Sequence, residues 1–119
     1  MRHLVVDGAN VVGSRPDGWW RDRAGAATRL AEQLAAALDA GALDADEVHL
    51  VLEGAARSAS VPGHERLHVV RAPRDGDSAI VELAAALDGD VTVVTADRGL
   101  RDRLTVPAVG PGTLLSRLS

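Results

Sequence analysis

The chain has 119 residues, 46% of them hydrophobic, and a formal charge of -4. That length and apolar content exclude disorder and predict one domain over residues 1–119. The lack of cysteine excludes disulfides, thiolate metal sites and cysteine nucleophiles. No apolar run reaches the ~18 residues of a membrane span, and the apolar stretch before Asp7 is too short for a signal peptide. The expectation is a cytoplasmic protein. The acidic balance lacks the basic footprint of a strongly nucleic-acid-binding surface, so the acids themselves need a reason.

In chain order, Leu4-Val5-Val6 reads as a buried strand. A helix is predicted over residues 20 to 39, where Leu30, Leu34 and Leu38 repeat at helical spacing beside Ala27, Ala31 and Ala35, and Gly41 stops it. Val48 to Leu52 and Leu67 to Val70 read as the next two strands. Ile80, Leu83, Ala84 and Leu87 predict a second amphipathic helix ended by Gly89. Val91 to Thr95 is the clearest strand. A short helix from Arg98 to Leu104, an edge strand around Val106 to Val109 and a last helical turn after Gly110-Pro111-Gly112 complete the pattern. Alternation of this kind implies a mostly parallel sheet of about five strands covered on both faces. In such sheets ligands bind beyond the carboxyl ends of the strands.

The acids fall at those ends. Asp7 follows the first strand and Glu53 the second. Asp75 and Asp77 open the helix after the third, and Asp97 follows the fourth. Gathered carboxylates repel one another and lose solvation, and a hard divalent cation such as Mg²⁺ or Mn²⁺ relieves both penalties. Each acid has a plainer reading. Asp97, and Asp75 or Asp77, are placed to cap helices; Asp7-Gly8-Ala9-Asn10 reads as a turn; Glu53 reads as a solvated strand end. Asn10 is placed to orient Asp7, to contact a phosphate or to close an Asx-turn. Arg98 is placed to pair with Asp97 or to hold a phosphate. The segment from Gly13 to Arg23 brings Arg15, Trp19, Trp20 and Arg21 to the same edge, where aromatic and guanidinium groups stack bases and meet phosphates. Its plainer reading is that tryptophan covers the core. His49 and His68 lie inside strands and read as structural.

Three motifs together resemble a known family. Val5-Val6-Asp7-Gly8-Ala9-Asn10-Val11-Val12 resembles the opening of NYN-domain proteins, a branch of the PIN-like ribonucleases. Gly76-Asp77-Ser78-Ala79-Ile80 resembles their helix-opening acidic element, with Gly76 in place of the usual Ala. Val93-Val94-Thr95-Ala96-Asp97-Arg98-Gly99-Leu100 resembles their Thr/Ser-x-Asp-Arg strand. The run from Gly13 to Arg23 is similar to small actinobacterial members near the YacP-like group. The resemblance implies a PIN-like three-layer α/β/α sandwich and Mg²⁺- or Mn²⁺-dependent cleavage of RNA by a metal-activated water. By position, Asp7, Asp77 and Asp97 would hold metal and act in catalysis with Asn10. Glu53, where related proteins often carry Asp, and Asp75 are additional metal candidates. Arg15, Trp19, Trp20, Arg21 and Arg98 would bind RNA, expected to be single-stranded. A homo-oligomer is compatible with this reading, and a membrane partner is not expected.

Two other functions compete. A catalytically weak module of the same fold, binding RNA or protein, is favoured by the acidic balance. A phosphatase of another α/β class is disfavoured, because no Asp-x-Asp follows the first strand and no Gly-rich nucleotide loop is present.

Overall fold

In a computed structural model, described for residues 1–118, apolar strand segments and amphipathic helices alternate along the chain. The elements are β1 (Arg2–Asp7), α1 (Gly8–Gly13), α2 (Arg23–Asp39), β2 (Glu47–Leu52), β3 (Leu67–Arg71), α3 (Gly76–Ala86), β4 (Asp90–Val94), α4 (Arg98–Arg103), β5 (Ala108–Val109) and α5 (Pro111–Leu115). Single 3₁₀ turns lie at Trp19–Arg21 and Gly54–Ser58. The five strands form one parallel sheet in the order β3-β2-β1-β4-β5.

The near-continuous Val and Leu of β1, β2 and β4 fit strands buried on both faces. On one face, Ala27, Leu30, Ala31, Leu34 and Leu38 of α2 bury a single stripe against Val6, Leu50 and Leu52, with Val11 and Val12 of α1 and Leu114 of α5 alongside. On the other, Ile80 and Ala84 of α3 and Leu100 of α4 pack on Val5, Val51 and Val93. Each fully buried Leu, Ile or Val contributes about 1.5–3 kcal/mol of transfer free energy. The result is the three-layer α/β/α sandwich expected from the sequence.

Four expectations need local correction. Asp7-Gly8-Ala9-Asn10 is not a simple turn but the start of helix α1, with Asp7 as its N-cap. The long helix begins at Arg23, not at residue 20. Asp22 caps it by accepting from the Gly25 N–H, and Trp19–Arg21 form a separate 3₁₀ turn. The third helix opens at Gly76 behind its cap Asp75, where the sequence placed its start, but it ends at Ala86, three residues before Gly89. The edge strand narrows to Ala108–Val109, since Pro107 has no N–H for a ladder.

At the amino-terminal end of the sheet, three histidines cross the strands on the α3 face. His3 Nδ1 lies 3.0 Å from His49 Nε2, the His49 and His68 rings stack at 5.1 Å, and His68 Nε2 is 2.6 Å from Glu47 Oε2. His49 is buried, and burial, followed by the neighbouring His68 and His3 rings, lowers its pKa to about 4, against an opposing pull from Glu47. In the unfolded chain its proton binds near pH ~6.5. Between those values the unfolded state holds a proton that the folded state lacks, so stability is full above pH ~6.5 and falls toward pH ~4. Urea unfolding should show about 2 kcal/mol less stability at pH ~4.5 than at pH ~7 from this ring, and His49→Gln should flatten that slope. An unchanged slope in the variant would rule His49 out as its source.

Candidate functional site

The strand order reverses direction between β1 and β4, and this switch point opens a crevice at the carboxyl ends of the two strands. Asp7 ends β1 there. It is 6% exposed, an unusual depth for a carboxylate. Its Oδ2 accepts the Thr95 hydroxyl at 2.9 Å, and its Oδ1 accepts the Asn10 backbone N–H at 3.3 Å. Thr95, itself fully buried, also accepts the Asp97 N–H at 3.1 Å through the same Oγ1. A hydroxyl therefore fixes the buried acid of β1 relative to the acid that follows β4. Asp97 caps α4, its Oδ1 accepting from Leu100 N at 3.0 Å.

The Asn10 side chain does something other than orient Asp7. Its Oδ1 accepts the Ala96 N–H at 2.8 Å, which pins α1 to the loop between β4 and α4. Across the sheet, Glu53 Oε2 accepts the Gly76 N–H and so joins the end of β2 to the start of α3. Gly76 is buried, and a Cβ there would meet the Glu53 carboxylate, 2.9 Å from its Oε2. Asp75 caps α3 through the Ser78 N–H at 2.7 Å. Asp77, one residue into the helix, is half-buried and has no helix end to cap.

The electrostatics report the same gathering. Burial raises the Asp7 carboxyl above its usual range, opposed by the hydrogen bonds from Thr95 and Asn10, and the charges of Asp77 and Glu53 push it further up. Burial also raises Asp77, followed by the charges of Asp97, Glu53 and Asp75. Asp75 is held low by its bonds to Ser78. Asp77 thus lies in the fields of Asp97, Glu53 and Asp75, and the charges of Asp77 and Glu53 in turn reach Asp7. Among the described residues, no three Asp, Glu or His side chains converge closely enough to enclose one ion. The oxygen-only, mutually repelling donor set fits a hard divalent ion that keeps several waters.

Of the arginine and tryptophan segment, Trp19 and Arg23 line a cleft shared with Glu53. Trp19 packs on the core, as its plainer reading had it, whereas Trp20 is 57% exposed. The two rings meet edge to face at 6.0 Å. Arg21 lies 5.9 Å from the Trp20 ring centre and Arg23 lies 5.3 Å from that of Trp19. Arg98 opens α4 beside Asp97 and is exposed, and Arg15 is half-buried after α1. Among the described residues neither Arg98 nor Arg15 forms an ion pair, so the Arg98–Asp97 pair expected from the sequence is not made.

Sequence reasoning passed over three residues that shape this site. Thr95 was visible only as part of the Thr-x-Asp-Arg motif. Arg23 marks only the end of the Gly13–Arg23 segment, and Arg74, which lines a cleft with Arg23 and Glu53, belongs to no motif.

The whole arrangement can be set against known structures. Two crystal structures of Rae1 (YacP) from Bacillus subtilis, one of a point mutant, superpose with TM-scores of 0.73 and 0.72 at 19% identity. Each match covers 99% of this chain, and 74% and 75% of the respective neighbour. The chain shares its fold with Rae1 (YacP). The name agrees with the YacP-like resemblance drawn from the motifs, and nothing in these matches bears on the narrower small actinobacterial type. No family model matches the chain, and no curated protein matches it either.

Proposed function

We propose that this protein is a divalent-metal-dependent ribonuclease acting on single-stranded RNA in the cytoplasm. One observation carries the reading. A buried carboxylate, Asp7, sits at the switch point of a YacP-like fold with its pKa raised by burial and by neighbouring acids. Such a group is expensive to maintain unless a bound cation uses it.

In this reading Asp7, Asp77 and Asp97 hold Mg²⁺ or Mn²⁺, with Glu53 at the β2 side and Asp75 at the edge of the cluster. Held there, such an ion would offset the gathered charge and supply the Lewis acidity that activates water and polarises a phosphate. Thr95 holds the Asp7 carboxylate in one orientation, and Asn10 fixes the loop that carries Asp97. Arg15, Arg21 and Arg98 meet phosphates, and Trp20 offers an exposed ring for a base. Among the described residues His3, His49 and His68 lie at the opposite, amino-terminal end of the sheet, so no proton transfer is assigned to histidine in this reading. The fold neighbours support the reading through their shared architecture.

The deciding assay incubates purified protein with mixed RNA and DNA in Mg²⁺, Mn²⁺ or EDTA. Metal-dependent RNA cleavage that EDTA stops is the expected result. Metal binding without cleavage of any substrate would favour the binding-module reading.

Asp77→Asn separates charge from structure. Without metal it should fold normally and melt at the parent temperature or slightly higher, because a repelling charge is gone. Added Mn²⁺ should raise the melting temperature of the parent more than that of the variant, since a ligand that binds only the native state adds RT ln(1 + [L]/Kd). Equal shifts would remove Asp77 from the ligand set.

A further inference from the structure

Two clefts flank α1. The one on the β4 side, between Asn10, Ser14, Ala96 and Pro111, has no charged or aromatic lining. The one on the β2 side differs in every respect that matters for a nucleotide. It measures about 370 Å³, within the range of small-ligand sites. Gly8, Ala9 and Gly54 give it walls without large side chains, and Trp19 supplies an aromatic surface held in place by the core. Arg23 and Arg74 line it, and neither has a carboxylate partner among the described residues. Glu53 lines it too, with one oxygen committed to Gly76.

An acid cluster repels a phosphate backbone, so a strand approaching Asp7 needs cations close by. Arg23 and Arg74 are cations beside Glu53, which shares the field of Asp7 and Asp77. A cleft that joins an aromatic surface and apolar walls to two guanidinium groups without carboxylate partners, one of them, Arg23, lying 5.3 Å from the Trp19 ring centre, suits a flat ring followed by an anion. That is the chemistry of an unpaired base with its phosphate. A base still in a duplex would keep its faces stacked and could not enter.

We propose that the cleft lined by Trp19, Arg23, Glu53 and Arg74 seats one unpaired base of the RNA strand, adjacent to the phosphate presented to Asp7. The proposal rests on the ribonuclease reading for the nature of the strand, and it explains why that strand is single.

The protein holds two tryptophans and no Tyr or Phe, so fluorescence reads the site directly. In an Asp7→Asn/Trp20→Leu background with Mg²⁺, Trp19 is the sole aromatic reporter. A single-stranded oligoribonucleotide should change its emission on titration, and the same strand made abasic should bind about fivefold or more weakly, as expected for loss of a stacked base. Arg74→Ala and the cleft-filling Ala56→Leu, each with its fold checked by thermal melting, should weaken binding by about tenfold. Equal binding of intact and abasic strands, or no effect of either substitution, would overturn the subsite. Cleavage by the otherwise unmodified protein with Mn²⁺ is measured in parallel. If that protein cuts RNA and Ala56→Leu leaves KM unchanged, the subsite fails while the ribonuclease reading stands. If it cuts nothing yet base-dependent binding is lost in Arg74→Ala, the subsite stands and the ribonuclease reading fails.

Discussion

Asp7→Asn should yield a folded protein that cleaves RNA at least about 100-fold more slowly, a loss of roughly 3 kcal/mol of transition-state stabilisation. The volume at the site barely changes, but one charge leaves the ion's cage. The stability should move the other way. Because the folded pKa of Asp7 is raised, its ionised form at neutral pH opposes folding, and the favourable contribution is present only at low pH, where it is protonated. Asp7→Asn should therefore melt at or above the parent temperature in the absence of metal. A single pair of measurements, initial cleavage rate in Mn²⁺ and melting temperature in EDTA, tests both halves. Full activity in a clean preparation of the variant would place the chemistry elsewhere.

Gly8→Ala should be the most damaging of the conservative substitutions. A Cβ built at Gly8 would stand 2.6 Å from the Val51 carbonyl oxygen and 3.0 Å from Leu52 Cδ2. The carbonyl belongs to β2 and cannot rotate away, so α1 has to lift from the sheet. Overpacking of this kind costs about 1–3 kcal/mol, and a rigid backbone neighbour argues for the upper part of that range. The lift also moves Asn10, whose amide anchors the loop before Asp97. Activity should therefore fall together with the urea midpoint. A Gly8→Ala protein with parental stability would mean that β2 and α1 separate easily.

The contrast between Gly8 and the long helix shows what the sequence could reveal. Leu30, Leu34 and Leu38 announce α2 because three turns of period 3.6 leave a pattern. Helix α1 has six residues and a glycine at each end, too few for any period, so Asp7-Gly8-Ala9-Asn10 read as a turn. It is helical because Asp7 caps it and because Gly8 permits close docking on β2. The alternation of strands and helices made a parallel sheet legible, yet strand order was not, since β1 pairs with β4 across more than 80 residues, as Val6 with Val94 does. The candidate site was legible as a list of acids at strand ends. Its wiring was not. The Thr95–Asp7 hydrogen bond spans 88 residues, and Glu53 and Gly76 meet only after β3 has crossed back. Arg74 carries no motif and becomes noticeable only as part of the cleft wall.

Asp7, Asp75 and Asp97 each begin a helix as well as belonging to the acid cluster. Asn serves an N-cap about as well as Asp, and Ser or Thr nearly so, while Ala costs about 1 kcal/mol. The charge at these positions is therefore free to drift, but the capping oxygen is not. A lineage that abandoned the chemistry would be expected to keep Asn, Ser or Thr at these three places and to look almost unaltered in its backbone. For the same reason, alanine replacements at this edge confound lost function with loosened helices. In this fold, inactive descendants are to be recognised by missing charge rather than by missing structure.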